Sequence, residues 1–447
     1  MPTFERFRST SINRSSAQRI GESLADPVRN IDWLLMGAVI VQAIIGLFIV
    51  FSATHLRLID QNFDPYVYTQ RQVVFLILAA VVMALVMTVG HDWVRSQAAL
   101  LYAGVLVLLV LVLVAGAVRG GARLSFDLGP ISLQPAELAK PIVLVVVAAY
   151  VADAQPDSLD WHHFVMTLYI VLIPVGLMLI QPDLGSATVL IAGIAGLLYV
   201  ANARRRYLLL VLGLSVFTVA ATVLAVPRLR YQLRRFDAWL NQNSLRDDLQ
   251  EIVLQVRFAK RAVSTGGFFG KGYLDGPLTI GKYIPLQFTD FPFSAIGEQF
   301  GMIGGGVVIA LFGFIMWRIW KISRGARDRY GQLLATGIFA MMSFQVFQNI
   351  GMTLGLVPVS GLPLPFISYG GSRHERRNEH DMSEEHAGAA GPERQGTPER
   401  STGPVKKRRR GRRGGRNRNK SGAAKQPVNP ETSSAERSLV EIPEPPR

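Results

Sequence analysis

The chain contains no cysteine. Disulfides, thiolate metal sites and cysteine nucleophiles are excluded, and the absence says nothing about compartment. Charge is scarce too, with Asp, Glu, Lys and Arg making up 18% of the 447 residues. It is also unevenly spread. Residues 373–447 hold 18 Lys and Arg against 11 Asp and Glu, close to half of the net charge of +15. Nearly half of the basic balance is thus a property of this tail, not of a fold. The strict alternation of barrel strands is missing. The pattern of a cleavable signal is missing as well, because Arg6, Arg8, Arg14, Arg19 and Arg29 lead into a full-length apolar run.

What is abundant is long apolar sequence. Stretches at 32–53, 72–90, 98–118, 137–153, 162–181, 184–202, 206–226, 294–317 and 331–357 are each about long enough to cross a hydrocarbon core of roughly 30 Å. Lipid leaves only helices or closed barrels as spanning structures. The fold class expected is therefore all-α, a polytopic helical membrane protein with nine apparent transmembrane helices. Basic residues cluster in the N-terminal arm 1–30, at Arg204, Arg205 and Arg206, and at Arg318, Lys321, Arg324, Arg327 and Arg329. Threading the spans with the N-terminus inside places all three clusters in the cytoplasm, as the positive-inside bias requires. The segments 119–136, 182–183, 227–293 and 358–372 then face outward.

The outer loop 227–293, between the seventh and eighth spans, is the largest soluble element. A loop of this length in a compact protein is usually functional. It opens with a basic amphipathic stretch, RLRYQLRRFDAWL, which reads either as an interfacial helix anchored by Trp239 or as a site for an anionic lipid. An apparent helix follows near 246–264. The tail 373–447, with KKRRRGRRGGRNRNK at 406–420, is too polar to bury a core and is expected to be disordered. Attraction to anionic lipid suits its basic run better than nucleic acid does.

Four outward stretches carry chemistry. In LGPISLQPAELAK (128–140), Glu137 and Lys140 share one helix face, either as a local ion pair or as a polar site. In QPDLGSA (181–187), Asp183 either caps the next helix or binds. In TDFPFSAIGEQFG (289–301), Thr289 or Asp290 could cap a helix starting near Phe291. Alternatively, a carboxylate at the bilayer edge is a functional residue. The fourth stretch, GLVPVSGLPLPFISYGGS (355–372), carries prolines and glycines that predict irregular backbone at membrane depth. Such backbone is tolerated only where protein or water covers it.

Taken together these stretches resemble the SEDS family (shape, elongation, division and sporulation), which includes RodA and FtsW. The signatures are Gln134, Pro135, Glu137 and Lys140; QPDLG at 181–185; Tyr231 with Arg235; GGxxGKG at 266–272; TDFxF at 289–293 with GExxG at 297–301; and LPFISYGGS at 364–372. They occur in family order over residues of about 30 to 372, which bounds a transmembrane domain at 31–372.

The resemblance implies a peptidoglycan glycosyltransferase that polymerises lipid II, the undecaprenyl-diphosphate-linked precursor, on the outer face of the bacterial cytoplasmic membrane. A role in elongation, RodA-like, is expected from the GLPLP wording. The alternatives are an FtsW-like division polymerase, a lipid II flippase and a non-catalytic scaffold. A class B penicillin-binding protein is the implied partner. Transfer to a sugar hydroxyl needs a base, and the departing diphosphate needs positive charge. Asp290 is the implied catalytic residue. Its apolar flanks predict a carboxyl raised toward a useful base by desolvation. Gln134, Glu137, Lys140, Asp183, Arg123, Arg235 and Ser368 are the implied substrate-binding residues, with Lys140, Arg123 and Arg235 facing the diphosphate. No metal site is expected from the residues. A divalent cation is the one cofactor left open.

The chain departs from the family pattern in two places. Where relatives carry an Arg-Trp pair in the outer segment before QPxE, Leu124 and Ser125 stand here, with Arg123 one position earlier. After Ser372 the family continues into a last helix, whereas this chain reads SRHERRNEHDMSEEH. The family's tenth span is thus missing, as a frameshift, deletion or gene-model error near 372 would leave it.

Overall fold

A computed structural model describes residues 31–119, 122–127, 132–154, 159–225, 230–243, 246 and 249–370. The basic arm 1–30, the side chain of Tyr231, Ser372 and the tail 373–447 lie outside the described residues.

Each apolar stretch is a helix. They are α1 (Trp33–Asp60), α2 (Val67–Val89), α4 (Ala98–Ala115), α5 (Pro135–Asp153), α6 (Trp161–Ile180), α7 (Leu184–Val200), α8 (Arg205–Ala225), α13 (Pro292–Gly325) and α14 (Arg329–Thr353). Seven of these, α1, α2, α4, α5, α6, α13 and α14, are long and apolar enough to cross a membrane; α7 is apolar but 17 residues long. A short helix, α3 (His91–Ser96), joins α2 to α4. The helix starts follow local chemistry. Asp32, Asp183 and Asp328 each accept a backbone N–H of the first turn, and Pro135 opens α5 at a position where its missing N–H costs nothing.

The first outer segment after α4 is not plain loop. It forms a three-stranded antiparallel sheet, β1 (Ala117–Arg119), β2 (Ala122–Asp127) and β3 (Ser132–Leu133), in the order β1-β2-β3. The large outer loop holds α9 (Arg230–Leu240), α10 (Gln250–Gly266), α11 (Pro277–Ile280) and α12 (Gln287–Asp290).

The main core gathers α4 to α8 with the start of α14. α7 and α14 meet through small residues: a Cβ on Gly196 would lie 2.3 Å from the Ala340 Cβ, and one on Gly193 3.2 Å from the Gly337 carbonyl. Close backbone approach of this kind is how helices associate where lipid is as apolar as leucine. Contacts between helix ends agree with the threading. Arg95 pairs with Asp153, Arg329 Nη2 donates to the Val200 carbonyl at 3.1 Å, and Arg318 Nε donates to Asp32 at 2.9 Å, all between ends assigned inside. Lys282 meets Asp60 at 2.6 Å between elements assigned outside.

Segment 355–370 is irregular, as its prolines predict, and it is covered. Side-chain amides of α14 satisfy its carbonyls: Gln345 donates to Pro363 at 2.9 Å and Gln348 to Pro358 at 3.0 Å. Trp239 Nε1 and Gln242 Nε2 both donate to the Gly355 carbonyl, at 3.2 and 2.8 Å. Trp239 is thus tied to the bundle rather than only to a lipid interface. On the other side, a Cβ on Gly46 of α1 would lie 2.8 Å from the Ile367 Cα.

α13 is broken at Gly301, whose φ of 64° and ψ of −157° are not helical. The break frees backbone groups that a membrane cannot solvate. The GGFFGKG turn takes them up. Met302 N and Ile303 N donate to the carbonyls of Gly267 and Phe268, at 2.9 and 3.2 Å, while the carbonyls of Glu298 and Gln299 accept from Lys271 N and Gly272 N, at 2.9 and 3.1 Å. The chains are so close that a Cβ on Gly270 would sit 2.1 Å from the Gln299 carbonyl oxygen. The glycines of both signatures are therefore one packing requirement.

Candidate active site

Asp290 is the last residue of α12 and is half-buried. Leu286 precedes that helix in the left-handed region, φ 53°, and its carbonyl accepts from Asp290 N at 3.0 Å. The following α13 begins at Pro292, so its cap position is Phe291, which makes no side-chain cap bond. Thr289 Oγ1 donates to the Leu286 carbonyl at 2.9 Å. Neither Thr289 nor Asp290 occupies the cap position, so the capping alternative does not describe this segment.

Gly361 marks where the predicted residues converge. It has φ +68°, and a Cβ there would lie 3.8 Å from Asp290 Oδ2, with the two Arg235 Nη atoms 3.8 and 3.9 Å away. The carboxylate and the guanidinium thus border the same glycine. Asp290 arrives on α12, Arg235 on the amphipathic α9, and Gly361 on the proline-rich segment. The QPDLG turn reaches the same neighbourhood, since a Cβ on Gly185 would meet Leu362 Cδ2 at 3.0 Å and the Ser360 carbonyl at 3.4 Å.

The remaining predicted residues have well-defined partners. Asp183 caps α7 through Ser186 N at 3.1 Å and accepts from Gln134 Nε2 at 2.7 Å, so the cap residue also joins two signatures. Lys140 is buried and pairs with Glu137 at 2.8 Å, while Glu137 keeps 44% of its side chain exposed. Ser368 Oγ accepts from Leu364 N at 2.7 Å within its own turn. Arg123 Nη1 donates to the carbonyls of Leu113 and Val114, a cation at the C-terminal end of α4. Among the described residues no group of three or more His, Asp or Glu is placed to hold a metal ion.

Three residues that support Asp290 were not singled out from the sequence. Glu298 is fully buried. Its carboxylate accepts from Leu278 N at 2.7 Å, Thr279 N at 2.9 Å and Thr279 Oγ1 at 2.6 Å, fixing the start of α11. Gln287 Nε2 donates to Thr279 Oγ1 at 3.1 Å and to Ser294 Oγ at 2.9 Å, and Ser294 donates to the Phe291 carbonyl at 2.7 Å. The chain of bonds therefore brackets Asp290. From the other side, Asn349 Nδ2 donates to the Asp290 carbonyl at 2.9 Å.

A family model described as a cell cycle protein, of the FtsW, RodA and SpoVE type, matches residues 32–374. The chain belongs to the SEDS family. Stage V sporulation protein E of Bacillus subtilis is 34% identical over 348 residues, covering 76% of this SEDS chain and 92% of that relative. The probable peptidoglycan glycosyltransferase FtsW of Trichlorobacter lovleyi is 33% identical over 359 residues, covering 78% and 92%. Among solved structures, a component of a peptidoglycan synthase complex that coordinates polymerization and crosslinking has a TM-score of 0.63 at 30% identity, covering 77% of this chain and 94% of that one. The rod shape determining protein RodA of Thermus thermophilus has a TM-score of 0.56 at 29% identity, covering 77% and 92%. With its apolar helices, this SEDS protein is a multi-pass protein of the bacterial cytoplasmic membrane.

Proposed function

We propose that this SEDS protein is a peptidoglycan glycosyltransferase that polymerises lipid II at the outer membrane face. The observation that carries the proposal is the approach of the Asp290 carboxylate and the Arg235 guanidinium to one glycine, Gly361. Asp290 acts as general base on the acceptor sugar hydroxyl. Arg235 balances charge on the departing diphosphate, where a planar fork suits phosphate oxygens. Lys140 with Glu137, and Gln134 with Asp183, are proposed to bind the substrate from α5 and the start of α7. Arg123 and Ser368 are the remaining substrate-binding residues. Were a divalent cation bound, Asp290 would hold it and it would add positive charge to that of Arg235, and its need is read by adding a chelator to the assay.

The division or sporulation role has more support than the elongation role that the GLPLP wording predicts, because the relatives of 34 and 33% identity carry SpoVE and FtsW names. A class B penicillin-binding protein is the proposed partner. The synthase-complex neighbour, which couples polymerization to crosslinking, supports that choice.

The deciding experiment uses Asp290→Asn, which keeps shape but does not accept a proton at neutral pH. Glycan polymer formed from lipid II, resolved on gels, is expected to fall about a hundredfold. The variant should still insert and bind the penicillin-binding partner. Polymer made at the wild-type rate would end the general-base reading and leave a scaffold role in front.

A further inference from the structure

Asn349 lies one turn from the C-terminal end of the apolar α14 and is fully buried. Its Nδ2 donates twice, to the Asp290 carbonyl at 2.9 Å and to the Leu362 carbonyl at 2.7 Å. Its Oδ1 has no hydrogen-bond partner among the described residues. A buried acceptor left alone is destabilising. Apolar packing alone would be better served by leucine, so the two donated bonds are what the amide is there for.

We infer that Asn349 is the positioning residue of Asp290, fixing the main chain of the carboxylate-bearing residue to the segment that carries Gly361. The inference rests on the reading of Asp290 as general base. Its argument is geometric. Asp290 N is already bonded to the Leu286 carbonyl at 3.0 Å, so with Asn349 on the Asp290 carbonyl both peptide groups around its Cα are held. The second bond of the same nitrogen goes to Leu362, the neighbour of Gly361. One amide therefore sets the separation between the base and the glycine that Arg235 also borders. A displacement of about 1 Å at a reacting group is enough to cost roughly a hundredfold in rate.

The neighbouring amides provide the contrast. Gln345 and Gln348 hold the same proline-rich segment through Pro363 and Pro358. The carbonyls they bond belong to that segment and not to Asp290. If Asn349 served only to anchor the segment, all three would behave alike.

The test measures lipid II polymerisation and thermal stability of the purified full chain with Asn349→Leu, Asn349→Ser, Gln345→Leu and Gln348→Leu, singly, and with Asn349→Leu combined with Asp290→Asn. Serine keeps one donor on a shorter arm, so it cannot reach both carbonyls and provides a second variant should leucine fail to assemble. The expected result is a kcat lowered about tenfold or more in the Asn349 variants, with KM for lipid II within about twofold. The two glutamine variants should lose stability while kcat stays within about threefold. In the Asp290→Asn background, Asn349→Leu should add no further loss, because residues acting through one another are not additive. A normal kcat in either assembled Asn349 variant overturns the inference. So does an equal kcat loss in the glutamine variants, or a full additional loss on top of Asp290→Asn. Failure of the general-base reading is seen separately, in Asp290→Asn alone polymerising at the wild-type rate, and takes the inference with it.

Discussion

The carboxylate of Glu298 receives both the backbone N–H and the hydroxyl of Thr279, at 2.9 and 2.6 Å. The acid of the GExxG signature is thus a fixing point for loop backbone. Glu298→Gln keeps the volume but turns one acceptor into a donor facing donors. The loss expected is about 1–3 kcal/mol of stability. It should show as a lower thermal midpoint and as faster proteolysis between 267 and 286. An unchanged midpoint would mean that the loop is held elsewhere.

The Glu137–Lys140 pair is asymmetric. Lys140 keeps 3% of its side chain exposed and Glu137 44%. Removing the acid strands a buried cation, whereas removing the cation leaves an acid that water can reach. Glu137→Gln should therefore lower the thermal midpoint more than Lys140→Met. Both should also slow polymerisation about tenfold, the scale of one lost charged contact in a partly desolvated site. Full activity in both would reduce the pair to a local ion pair.

Gly301→Ala meets two obstacles at once. Its backbone lies in a region open essentially to glycine alone, and the new Cβ would sit 2.4 Å from Gly270 N. A loss of about 1–3 kcal/mol is expected from the backbone strain. Gly306→Ala is the control, because nothing lies within 4 Å of that position. Equal midpoints for the two variants would contradict the paired-glycine account of the break.

Asp32 gives a prediction in pH. Burial pushes its carboxyl up, but the Leu35 N–H, the Arg318 guanidinium and the Leu34 N–H outweigh this and hold it below its ordinary value. A carboxyl lowered in the folded state contributes stability above the unfolded value of about 3.9, and that contribution disappears as pH falls through the folded value. The stability owed to Asp32 should therefore be flat from neutral pH down to about 4 and decline only below it. Arg318→Gln should shrink this decline, because it raises the folded value toward the unfolded one, which it leaves unchanged. Midpoints measured in detergent over that range check both statements, and an Arg318→Gln curve that parallels the wild type would refute the pairing.

The spans were legible because each is a long uninterrupted apolar run, a signal that needs no partner to interpret. The convergence of Asp290 and Arg235 was legible only as membership of one ordered set of signatures, since α9 and α12 are separated by a long loop. The cap assignment at Thr289 or Asp290 missed the meaning of Pro292, which suits the first helical position and so moves the cap to Phe291. Glu298 was quoted as part of a signature. Its partners Leu278 and Thr279 come from a loop segment whose fold no local pattern announces. Asn349 did leave a trace, because Gln345, Gln348 and Asn349 are amides at helical spacing within an apolar helix. The strands after α4 are too short for alternation to register.

The break at Gly301 also bears on how the protein is made. The turn 266–272 precedes α13 in the chain, so it emerges from the ribosome and crosses the membrane first. When α13 enters the bilayer, the backbone that completes its broken ladder is already waiting on the outer side. Reversing that order would leave bare carbonyls and N–H groups in lipid. The order of the two segments along the polypeptide is thus an order of assembly, with the outer turn acting as a template on which the eighth span finishes its insertion.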